Sequence, residues 1–192
     1  MSENSPTSDA RPQPPKPTAL DAIPLAIRGV VYAIAFLVMI LGVVPWAAYR
    51  VDANFPALHI SMPWIVRTIG WMLFGMTLAL YLAGSFHLMS RGRGAYVEFD
   101  PPKEFVATGM FRWCRNPIAL CIVLMLLWLA IAWSSTGVFL LFAVAVPTAH
   151  AQVVLLEEPL LRKRFGQPYE DFLRNVPRWL PRPPPSGRDG AS

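Results

Sequence analysis

Three features of the chain predict an all-α integral membrane fold with four transmembrane helices. Its 192 residues are 54% hydrophobic and only 15% charged, which is too apolar for an ordinary soluble domain. Uncharged runs extend from Gly29 to Tyr49, from Thr68 to Ser90 and from Asn116 to Leu156. The last run is 41 residues long, with Ser134-Ser135-Thr136-Gly137 near its middle. One crossing takes about 20 residues, so this run reads as two crossings joined by a tight turn. The expectation is a single domain over 20–181, with crossings at 29–49, 66–89, 116–133 and 137–156.

Taken in order, residues 1–19 are polar and Pro-rich and are expected to be disordered, as is the tail 182–192. The first apolar run starts late and is too long for a signal-peptide core, so no cleavable leader is expected. The second crossing carries Gly75, Ala79 and Ala83 at a spacing of four, a small-residue face suited to close helix approach. The Gly- and Pro-containing stretch that follows reads as a loop over one membrane mouth. Beyond Leu156 the pattern turns amphipathic. Pro159 opens a short helix that Gly166 caps, and Pro168 opens a second that Pro177 ends. Both belong to an interfacial segment, 159–176, with its basic side toward lipid headgroups.

The net charge of +5 does not point to nucleic acid. With the N-terminus placed in the cytoplasm, fifteen Lys/Arg fall on the inner side and only Arg50 and Arg67 on the outer. That positive-inside bias puts both termini in the cytoplasm, and the basicity reports topology and nearby anionic lipid. Trp46, Trp64 and Trp133 then sit at the outer boundary, Trp113 and Trp179 at the inner one. Cys114 and Cys121 share a helix face and read as packing residues. No His/Cys spacing suits zinc, and no metal is expected.

Two groups of residues could carry chemistry. His150 and Glu157 are seven apart on the last crossing, about 20° from one another on an ideal helix, with Glu158 about 80° from His150. Ionisable groups at that depth should face protein or a wet cavity. Two acids at a helix C-terminus also lie at the end that favours cations, so they need a cationic partner such as Arg112, Arg115 or a ligand. At the same mouth, Arg115-Asn116-Pro117 starts the third crossing. Asn116 can cap the helix, Pro117 suits its first turn, and Arg115 beside free N–H groups makes a carboxylate or phosphate site. Arg115 also reads as a simple positive-inside anchor. An anion-binding end and an acidic end at one mouth together suit a zwitterionic ligand.

The tract GRGAYVEFDPPKEFVATGMFRWCRNP, a hairpin, and then His…EE…L…RFG..Y..F…VPRWLP resembles the isoprenylcysteine carboxyl methyltransferase-like and phospholipid methyltransferase-like family of integral membrane enzymes. The resemblance covers Gly92 to Pro181, about half of the chain. It implies methyl transfer from S-adenosyl-L-methionine to a lipid-embedded acceptor, with a cofactor pocket at the cytoplasmic face and no Rossmann fold. It further implies that Gly109, Phe111, Arg115, Asn116, Pro117, His150, Glu157, Glu158 and Tyr169 line the cofactor site, with Glu157, Arg115 and His150 as catalytic residues. Phe165-Gly166, Tyr169 and Val176-Pro177-Arg178 match the C-terminal cover of that pocket. Asp100-Pro101-Pro102 resembles a loop element of bacterial members, and a bacterial inner membrane is the expected location.

The sequence departs from the family pattern in its aromatic lining. Phe111 stands where Tyr is usual, Ile118-Ala119-Leu120-Cys121 replaces Met-Tyr-x-Gly, and Gly94-Ala95-Tyr96 replaces Gly-Thr-Pro. The expected partner is a lipid or lipid-like amine or carboxylate in the cytoplasmic leaflet. The alternative is an inactive scaffold or lipid-binding protein that keeps the fold. A transporter would need a broken-helix pair that the sequence lacks, and no nicotinamide signature supports a reductase. Oligomeric state is not legible.

Overall fold

The computed structural model describes residues 24–52, 54–55, 60–92 and 104–183. Every regular element among them is helical. Helices α1 (Leu25–Leu37) and α2 (Val44–Asp52) are joined by a π-turn, Val38–Val43, into one long rod. Helix α3 is Trp64–Gly92, a 3₁₀ turn spans Gly109–Arg112, and α4 is Pro117–Trp133. Helix α5 (Thr136–Gln152) continues through a second π-turn, Val153–Glu157, into α6 (Glu158–Phe165), and α7 (Gln167–Asn175) follows. The expected tail 1–19, the loop elements 94–96 and 100–102 and residues 184–192 of the expected C-terminal tail lie outside the described residues, whereas Arg182 at the start of that tail is fastened by its N–H to the Trp113 carbonyl.

Three rods are long and apolar enough to cross a membrane: Gly29–Asp52, Trp64–Gly92 and Thr136–Phe165. Their outward faces are those of a lipid-exposed helix, with Trp64 74%, Met72 70% and Leu155 69% exposed. The fourth apolar helix, α4, has 17 residues, about 26 Å at the usual rise and slightly short of the hydrocarbon core. It packs between α3 and α5 and buries Cys121, Met125, Leu126, Leu129, Ala130 and Ala132.

Close approach between these helices depends on other residues than the expected small-residue face. A Cβ on Gly75 would meet nothing, and Ala79 and Ala83 are exposed, so that face points away from the packed helices. Instead, Gly70 of α3 lies against the α4 backbone, where a Cβ would sit 3.0 Å from the Ala132 nitrogen. Gly137 of α5 lies against α2, with a Cβ 2.5 Å from the Ala48 carbonyl oxygen. The Trp128 Nε1–H donates to Thr77 Oγ1 at 3.1 Å between α3 and α4, which satisfies two polar groups inside the apolar layer.

The expected tight turn between α4 and α5 is present. Ser134 takes the left-handed conformation (φ 54°) past the last turn of α4, and the Ser135 N–H returns to the Ala130 carbonyl at 3.0 Å, closing the helix end. Ser135 Oγ accepts from the Val138 N–H at 3.1 Å as the N-cap of α5. Buried Asp52 accepts from the Thr136 N–H at 3.0 Å, which ties the end of α2 to this turn.

Each π-turn ends two residues before a proline, Pro45 or Pro159. Proline lacks an N–H, and its ring crowds the carbonyl four residues back, here Leu41 or Leu155. A wide i→i+5 turn moves that carbonyl aside, and the closing bonds are Val44 N–H to Met39 O and Glu158 N–H to Val153 O. Pro147 sits within α5 without a wide turn, so proline permits the device without enforcing it. The first of the two expected interfacial helices is therefore not a separate element, because α6 prolongs the last rod to Phe165.

Candidate functional site

The second π-turn changes which acid faces the site. It absorbs one extra residue, about 100° of rotation on an α-helical count. Glu158 thus takes the direction that an ideal helix gives to position 157, about 20° from His150. Glu158 is 3% exposed. Its Oε1 accepts from Arg178 Nε at 2.7 Å and Arg115 Nη1 at 3.2 Å, and its Oε2 accepts from Arg178 Nη2 at 3.1 Å. Arg162, one turn on, approaches Oε2 at 3.7 Å and also pairs with Glu170 at 3.0 Å. Glu157 is turned aside and half-buried, with Oε1 accepting from Gln152 Nε2 at 3.3 Å. Glu158, not Glu157, is therefore the acid that meets the arginines, and His150 is linked to it through the adjacent strap residues Trp179 and Arg178.

The segment 177–182 forms a strap along this face. Arg178 reaches Glu158, and the next residue, Trp179, donates its Nε1–H to His150 Nδ1 at 3.0 Å. An indole nitrogen only donates, so neutral His150 carries its proton on Nε2. On its other side the strap pairs with the segment before α4. The Arg115 N–H donates to the Pro177 carbonyl at 2.9 Å and the Arg182 N–H to the Trp113 carbonyl at 2.9 Å. Asn116 Nδ2 donates to the Arg178 carbonyl at 3.1 Å. The Cys114 thiol, 2% exposed, donates to the Arg178 and Trp179 carbonyls. Burial pushes that thiol above its ordinary range, which suits an unreactive fastening group.

Asn116 does not cap α4, since its amide is committed to the strap and no side chain caps this helix. Pro117 is buried at the helix start, as expected. Arg115 is the hub. Burial pulls it below the ordinary guanidinium range, opposed by Glu158, and its Nε is buried without a partner. The hydrogen bond to Glu158 holds Arg178 above that range. Three arginines face two carboxylates in this network, so it keeps an excess positive charge. Arg178 and Trp179 also line an open depression of about 450 Å³ along the strap.

Phe111 is buried with Leu88, Val106, Tyr169 and Phe172. Its ring joins α3, the 3₁₀ turn and α7, and Phe105 packs edge-on to Tyr169 with centroids 5.8 Å apart. Gly109 opens the 3₁₀ turn with φ +62°, which favours glycine. Burial, reinforced by Glu158, pushes the Tyr169 phenol up to about 12. Because the folded state holds this proton more tightly than an unfolded chain, where a phenol titrates near about 10, stability should fall between those two pH values. Alkaline unfolding of the micellar protein should show this fall, and Tyr169→Phe should flatten it. An unchanged profile would remove Tyr169 as its source.

Sequence reasoning missed the part played by Arg178, Arg162 and Trp179, whose partners lie 20, 4 and 29 residues away in the chain. The four-residue pair of Arg162 with Glu158 was the one legible signal.

A bundle of membrane-length apolar helices with an ion-pair network at one mouth defines a small polytopic membrane protein with a polar site at the membrane boundary. Residues 65–168 match the model of the family described as phospholipid methyltransferase, more than half of the chain. The chain belongs to that family and is a membrane methyltransferase by membership. No curated protein and no solved structure matches it. The matched stretch runs from α3 to the start of α7 and includes the Arg115–Glu158 pair, whereas the strap lies beyond it.

Proposed function

We propose that this chain transfers a methyl group from S-adenosyl-L-methionine to an amphiphilic amine or carboxylate in the leaflet at the α4 mouth. The observation that carries the reading is the family match spanning both walls of one polar site, Arg115 and Asn116 before α4 and Glu157 and Glu158 after α5. The cofactor's amino-acid end is a zwitterion, and the residues fit it. The unpartnered Arg115 Nε and the uncapped first turn of α4 suit its carboxylate. Among the described residues no guanidinium pairs with Glu157, which suits a cationic group. When bound, the cofactor supplies a methyl group already activated on a sulfonium. The protein's share is mainly alignment and exclusion of water.

An amine acceptor that arrives as an ammonium must lose a proton before its nitrogen can attack the methyl group. His150 Nδ1 accepts from Trp179, so that nitrogen takes up a proton only if the strap lets go. The positive-inside bias supports a cytoplasmic placement of the site and of both termini. The test is transfer of tritium from methyl-labelled cofactor into lipid extract by the purified protein in vesicles. Label above that of protein-free vesicles, lost in Glu157→Gln, is the expected result. No transfer together with no cofactor binding would favour the scaffold reading, which gains from the internal saturation of Asn116 and most of Arg115 by the strap and Glu158.

A further inference from the structure

We propose that His87 is a positioning residue for the methyl-transfer site. From α3 it sets the backbone of the 108–111 turn, which leads into Arg115-Asn116-Pro117. The inference rests on the cofactor reading above and adds a residue which that reading does not contain.

Three side-chain positions on one face of α3, spaced i, i+3 and i+4, seat this turn. Gly84 leaves room for the Met110 thioether, and a Cβ there would collide with Met110 Sδ. Leu88 packs in the same buried cluster as Phe111. Between them, the His87 ring fills the space that a side chain on Gly109 would take, with ring atoms 3.0, 3.2 and 3.3 Å from an ideal Cβ. Gly109 is thus required twice, by its positive φ and by the imidazole beneath it.

The polar half of the contact is as specific. Thr108 occupies the cap position of the 3₁₀ turn, with extended backbone and no side-chain cap bond. Its hydroxyl pairs with His87 Nε2 at 2.9 Å instead, while its carbonyl accepts the Phe111 N–H at 3.2 Å. A threonine at a cap position ordinarily turns its hydroxyl to the helix N–H groups. Here α3 holds that hydroxyl, so the turn is fixed from outside. Four residues later the chain delivers Arg115 and Asn116 to the site. An aliphatic side chain at 87 could fill the space but could not hold Thr108. Both ends of the contact lie within the stretch matched to the methyltransferase family.

The experiment is binding of S-adenosylhomocysteine to the full-length protein in detergent by calorimetry, for wild type, His87→Ala, His87→Gln and Thr108→Val. His87→Ala should weaken binding by about tenfold or more, the scale expected when positioned groups shift by a fraction of an ångström. Thr108→Val should weaken it in the same direction. His87→Gln, which keeps a polar nitrogen near the Nε2 position, should return most of the loss, and a purely space-filling role would not predict that rescue. If His87→Ala does not yield folded protein, Thr108→Val and His87→Gln carry the test. Wild type that binds, with His87→Ala or Thr108→Val binding within about twofold of it, overturns this assignment alone. Wild type that binds nothing overturns the cofactor reading and the assignment with it.

Discussion

Replacing Glu158 with alanine should destabilise the folded protein by about 3 kcal/mol, the scale for removing one partner of a buried ion pair. Glu158 is shared by Arg115, Arg178 and Arg162. Its removal leaves Arg115, whose side chain is 12% exposed, without its counter-charge at a membrane boundary. It also frees the strap, because Arg178 loses a two-point contact. Unfolding in mixed micelles would measure the change. Glu157→Ala is the control and should cost about 1 kcal/mol or less, since its hydrogen bond among the described residues runs to a neutral amide at 3.3 Å. Equal losses in the two variants would contradict the assignment of Glu158 as the hub. Glu157 is then the better candidate for a loss of activity without loss of fold.

Much of this arrangement is legible in the sequence, and the illegible parts have definite causes. The uncharged runs gave all four apolar helices, because a membrane core admits few charges over about 20 residues. The Ser-Ser-Thr-Gly turn and the Pro-led helices were visible because cap chemistry is local. Opposite charge at one mouth was also visible, in Arg115 and the Glu157-Glu158 pair. Which glutamate meets the arginine was not. Helical arithmetic assumes 3.6 residues per turn, and nothing in Val153–Glu157 besides the approaching Pro159 announces a wide turn. The close-packing glycines failed for a related reason. Gly75, Ala79 and Ala83 have the spacing of a contact face, but contact requires a partner helix, and α4 lies against the face of Gly70, Thr77 and Gly84. The strap was invisible because its backbone bonds join residues 62 to 69 positions apart. Its adhesion depends on carbonyls, which carry no sequence signature.

The π-turn itself supplies the sharpest test of how the site is built. Deleting Leu155 should leave methyl transfer within about tenfold of wild type, whereas deleting Ala145 should abolish it, a loss of about 100-fold or more. A π-turn holds one residue more than an α-helical turn. Removing Leu155 therefore lets Val153–Glu157 close as ordinary helix, and Glu158 becomes the seventh residue after His150, still about 20° from it. Little is lost in packing, since Leu155 faces outward at 69% exposure. Deleting Ala145 lies in regular helix with no slack to absorb it. The helix beyond it turns by about 100°, which swings His150 out of its place and carries Glu158, with the strap that follows it in the chain, away from Arg115 and the segment before α4. Both variants shorten the rod by the same about 1.5 Å, so length alone cannot separate them. Similar transfer rates in the two would mean that helix register does not set the site. A tolerated Leu155 deletion beside an inactive Ala145 deletion would identify Glu158, aimed by the wide turn, as the acid that the α4 mouth is built around.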